Sequence, residues 1–199
     1  MGSSTGGPNG SSEPPEPSQF RGSLDAAQVQ AAMPKIWIGY VLTAVSFLGE
    51  MIAISRHPEL FKSTGEAFFV PPLEMFLPVF ITRVYWFVCV YQIHKVLKAI
   101  PGYTHPVSPG TAVGFHFIPF FDVYWVFRWP MAIAEFINAR FQKPLVRGWI
   151  IGLGILFALV WSLAEPVTGS LLLFALTGYI ATLLRRAIAI DLSHQSPQI

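Results

Sequence analysis

His116, Asp122, Arg128 and Glu135 fall within one short stretch of an otherwise apolar chain. An imidazole with two carboxylates and a guanidinium nearby is a set that could move protons or hold a metal ion. Their spacings of six, six and seven residues match neither HExxH nor any pattern that places two ligands on one helix face. Helix capping and snorkelling to an interface account for the same residues without chemistry. The sequence contains no nucleophile elbow, phosphate loop or Ser-His-Asp signature, so no catalytic, cofactor or metal residue is assigned.

The remaining polar groups stand inside apolar runs. Arg83 lies about eleven residues into one such run, where an ionisable group costs at least about 2.5–3.5 kcal/mol to insert and must face protein and pair. Glu50 and Asp122 are the expected partners, and the pair could line an ion path or simply fix helix packing. His94, Lys95 and Lys98 end the same run; a basic helix end facing anionic headgroups explains them better than axial haem ligation. Gly148 and Gly152 fit the G-x-x-x-G close-packing pattern, which is expected to seat a neighbouring helix of the same chain rather than a dimer. Trp37, Tyr40, Trp125, Trp129 and Trp149 fall near expected span ends, as an interfacial aromatic belt would.

These residues must be carried by a membrane bundle. The chain is 53% hydrophobic, 15% aromatic and only 12% charged, with a mean hydropathy of +0.51, against roughly 25% charged in soluble proteins. A net charge of +2 with scattered basic residues excludes a nucleic-acid footprint, and the single Cys89 excludes an intrachain disulfide framework. Residues 1–22, rich in Gly, Ser, Pro and Glu, read as a disordered tail with no signal-peptide pattern, and residues 23–33 as a short surface helix. Spans are expected at about 36–54, close to the roughly 20 apolar residues that hydrocarbon thickness requires, at 72–96, long enough to tilt and kinked by Pro78, and at 149–164 and 168–184, apolar runs joined tightly as a helical hairpin. A tail is expected again at 193–199.

Between the second and third spans, residues 109–141 are broken. Ser108-Pro109 reads as an N-cap with proline at the first helical position; Pro119 then interrupts the helix. The first piece covers about half a membrane at roughly 1.5 Å per residue. Asp122 is placed to cap a second, amphipathic piece carrying Arg128, Glu135 and Arg140. If this segment turns back and the N-terminus is inside, the inner side holds Arg21, Lys35, Lys95, Lys98, Arg140, Lys143, Arg147, Arg185 and Arg186, and the outer side only Arg56 and Lys62. A crossing segment divides the same residues seven to four. The charge rule therefore favours an all-α bundle of four spans plus one re-entrant or interfacial element, with both termini cytoplasmic.

The block SPGTAVGFHFIPFFDVYWVF resembles one carried by small, uncharacterised bacterial multi-span membrane proteins, with a pattern like T-P-G-K-A-V-G-F-x-F-I-P-F-F-N-x-Y-W-x-F. Pro109, Gly110, Gly114, Pro119, Tyr124 and Trp125 are among the matching positions, and Asn138 is a candidate for a later asparagine of that group. Thr111 stands where Lys is usual and Asp122 where Asn is usual. The resemblance implies a multi-span architecture and a bacterial cytoplasmic membrane, and carries no activity.

Three functional readings follow. The first is a non-catalytic binding, assembly or scaffold component that acts through the broken segment on a protein partner or a second copy. The second is a small transporter or channel past Arg83, and the third a membrane-embedded enzyme using His116 and Asp122.

Overall fold

The computed structural model describes residues 28, 31–58, 72–100, 103, 105 and 107–195, with side chains as far as 190. The N-terminal tail and most of the short surface helix expected at 23–33 lie outside the described residues. Besides helical residues at 28, 31 and 32, six α-helices are bounded among the described residues: α1 (Ile36–Arg56), α2 (Leu73–Lys98), α3 (Pro109–Gly114), α4 (Phe121–Phe141), α5 (Gly148–Ala164) and α6 (Pro166–Gln195), with a single 3₁₀ turn at Phe115–Phe117 between α3 and α4. Among the described residues there is no strand. By length and composition α1, α2 and α6 as far as Ile190 are able to cross a membrane, whereas α5 is a shorter apolar helix of 17 residues.

Small residues set the packing. Ser46 Oγ meets Thr82 Oγ1 at 2.9 Å, and a Cβ on Gly49 would stand 2.2 Å from the Glu74 carbonyl oxygen. The backbones of α1 and α2 are therefore close and run antiparallel. α5 and α6 form a hairpin whose break is Glu165 alone; its carboxylate accepts the Thr168 backbone N–H at 2.7 Å and so caps α6. On the other side of α5, a Cβ on Gly148 would lie 2.4 Å from Met131 Cα and one on Gly152 2.9 Å from Phe127 Cα. The G-x-x-x-G pair thus seats α4 within the chain.

The core runs continuously through these contacts. Trp86, Trp129, Phe174, Ile93, Leu97 and Ile133 are its largest fully buried apolar side chains. Trp125 and Trp129, expected in an interfacial belt, are both buried, because the α4 face that carries them turns toward His94 on α2, with Trp125 also bonded to Ala112 on α3. Trp37 and Trp149 remain exposed.

Candidate functional site

The broken segment folds into a hairpin. Ser108 caps α3, its Oγ accepting from Thr111 N at 3.2 Å with Pro109 at the first helical position. α3 and the 3₁₀ turn continue along α2 until Ile118 goes extended ahead of Pro119. The chain then reverses and returns as α4. Trp125 Nε1 donates to Ala112 O at 2.8 Å, Phe115 packs edge-on against Phe121 and Trp125 with centroids at 4.7 and 4.9 Å, and Tyr103 meets Phe136 at 4.7 Å. The last contact joins the two open ends of the hairpin, so residue 103 and the C-terminal part of α4 lie at one end of the molecule. Asn138 closes that end: its amide donates to Val146 O at 2.8 Å and its carbonyl accepts from Val146 N at 2.9 Å.

The apex is held by a dyad. His116 Nδ1 and Asp122 Oδ1 are 2.6 Å apart, with the His116 side chain 2% exposed and that of Asp122 34%. The His116 ring lies against Trp86 at 5.2 Å and Phe87 at 5.7 Å on α2, so the dyad clamps both limbs of the hairpin to that helix. Asp122 is not the helix cap that its position suggests: α4 starts from Phe120 with no side-chain cap, and the carboxylate is spent on His116.

Phe120 is the strained residue of the turn, at φ 62° and ψ −32°. A non-glycine residue in this region carries about 1–3 kcal/mol of strain unless its surroundings impose it. Its ring is 93% exposed, in a patch with Phe117, Ile118, Val123 and Tyr124.

A second imidazole pair lies nearer the hairpin's open end. His94 Nδ1 is 2.7 Å from His105 Nε2, and His94 is 1% exposed between Trp125, stacked at 6.0 Å, and Trp129 at 5.9 Å. His94 therefore faces the core, while its neighbours Lys95 and Lys98 are exposed; the basic helix end consists of the lysines alone. The outer nitrogens of the histidines, His94 Nε2, His105 Nδ1 and His116 Nε2, are buried without a partner. Burial holds the His105 imidazole below its ordinary value and raises the Tyr103 phenol, to which the Glu135 charge also contributes. Among the described residues no group of three or more His, Cys, Asp or Glu side chains is arranged to hold a metal ion.

Arg83 takes neither expected partner. Its Nη2 donates to Ser162 Oγ at 2.6 Å, and Ser162 in turn donates to Leu159 O at 2.7 Å. Asp122 is engaged with His116, and among the described residues Glu50 forms no ion pair with Arg83. Trp86 Nε1 likewise donates to Thr177 Oγ1 at 3.0 Å. Thr82, Arg83 and Trp86 thus tie α2 to α1, α5 and α6 in turn. Arg128 and Glu135 sit exposed on α4, away from the dyad. Ser162, Thr177 and His105 belong to these contacts but carry no sequence signal, because helical serines and threonines usually bond their own backbone and nothing local links His105 to a histidine eleven residues earlier. No family model, curated protein or solved structure matches this chain.

Proposed function

We propose that this chain is a four-span protein of a bacterial cytoplasmic membrane, with both termini cytoplasmic, whose α3–α4 hairpin enters and leaves the same face of the bilayer and serves as a docking element for a protein partner within the membrane. The observation that carries the reading is Phe120. A strained backbone presents a 93% exposed ring at the apex of a hairpin whose two limbs are tied together by the His116–Asp122 contact. A turn that served only to reverse the chain would place Gly or Asn at such a position. An aromatic side chain held outward fits the rigid anchor that interfaces use as a hot spot.

The four-span count takes α5 as a short crossing element, supported by its apolar length of 17 residues and by the single-residue joint to α6. A photoreactive phenylalanine analogue at position 120, irradiated in native membranes, tests the docking role: one stoichiometric protein adduct is expected. Adducts to lipid alone would refute it. The transporter reading draws on Arg83, whose Nη1 is buried without a partner; solute flux in proteoliposomes that disappears with Arg83→Gln would favour it instead.

A further inference from the structure

At the end of the bundle where α1 begins, α1 and α6 leave an open groove of about 580 Å³. It exists because α6 presents Ala175, Gly178 and Thr182 to it, residues too small to fill the space beside Ile36 and Tyr40. A Cβ added at Gly178 would already stand 3.2 Å from Ile36. The walls are amphipathic in a definite order. Tyr40 and Tyr179 line it and are both exposed, while Lys35 and Arg185 supply two cations to the same lining.

The backbone that carries Lys35 and the Arg185 guanidinium are both held. Tyr85 Oη donates to the Lys35 carbonyl at 2.8 Å, and Arg185 Nη2 donates to Pro34 O at 3.3 Å, which pins the start of α1 against α6. Arg185 Nε is buried with no partner, so a guanidinium donor is left unsatisfied beside the cavity. Among the described residues no acidic side chain lines the groove. Two cations, an orphaned donor and flanking tyrosines at a span end suit an anion that carries an apolar chain, and the volume falls in the range of ligand sites.

We propose that this groove binds one anionic phospholipid, its phosphate held by Lys35 and Arg185 and its glycerol and upper acyl carbons lying against Tyr40, Tyr179 and the small face of α6. The protein purified from mixed vesicles of equal phosphatidylglycerol and phosphatidylcholine tests this, with the retained lipid counted by native mass spectrometry. Each cation beside an anionic headgroup favours it about fivefold, so enrichment of phosphatidylglycerol above about tenfold is expected. Lys35→Gln with Arg185→Gln should bring the ratio close to one. Thr182→Phe, at an exposed position, should fill the groove and cut total retained lipid while leaving both charges intact. Lys35→Gln alone should lower the enrichment about fivefold and, because that side chain is exposed, leave the melting temperature in phosphatidylcholine unchanged; this variant decides the matter where Arg185→Gln does not fold. Equal retention of the two lipids by the wild type, unchanged preference in Lys35→Gln, or complete loss of the retained phosphatidylglycerol on adding inorganic phosphate would overturn the proposal.

Discussion

Removing the Asp122 carboxylate would leave His116 buried with neither nitrogen paired, and a buried polar group without its partner costs about 1–3 kcal/mol. Asp122→Ala is therefore expected to lower the melting temperature in detergent by that equivalent, and His116→Leu by less, because the apolar replacement needs no partner. Acid should act on His105. Its folded value lies below the ordinary imidazole value of about 6.5 because it is buried, so the unfolded state binds more protons between the two values. Its contribution is complete above that pH and is lost as the pH falls below it. Melting followed from pH 7.5 to 5 should decline, and His105→Gln should flatten the decline; equal slopes would contradict the assignment. For Arg83 the expectation is a coupling of about 1 kcal/mol with Ser162 and none with Glu50, read from double-mutant cycles.

At the level of elements, the hairpin was legible where its cause is local. Ser108-Pro109 starts α3 and Pro119 ends the first limb, because capping and the missing proline N–H act within a few residues. The Gly148 and Gly152 seat was legible for the same reason, since the spacing of small residues on one helix face can be read directly. What was hidden depended on register between distant elements: Ser162 reaches Arg83 across 79 positions, and Trp125 turns inward because it meets His94 on α2 and the Ala112 carbonyl on α3. Phe120 was hidden for another reason, since nothing about a phenylalanine announces a positive φ. That strain yields a direct expectation. Phe120→Val, β-branched at a positive φ, should be about 1–2 kcal/mol less stable than Phe120→Gly. Equal stability of the two would mean that the turn relaxes freely. In the α4–α5 seam, Gly148→Leu has no room against Met131 Cα and should lower stability by about 1–3 kcal/mol.

On the scale of the whole molecule, α2 organises the bundle. It bonds α1 through Thr82, α5 through Arg83 and α6 through Trp86, and it offers Trp86 and Phe87 to the hairpin apex. From Phe87 to Lys98 is eleven residues, roughly 16 Å at the helical rise, so the apex lies about that far along α2 from its C-terminal end. Composition and hydropathy were enough to read an all-helical, apolar object. They left open the fact that the broken segment and the spans share one core.

The account rests on both ends of the hairpin facing a single compartment. Lys98, Lys143 and Pro58 are exposed, and Cys89 is buried, so single cysteines at these three positions can be labelled with a membrane-impermeant maleimide in sealed inverted vesicles. Labelling at 98 and 143 together, with 58 protected until the membrane is opened, is the expected result. Labelling at 98 with protection at 143 would place the hairpin across the membrane and contradict the account.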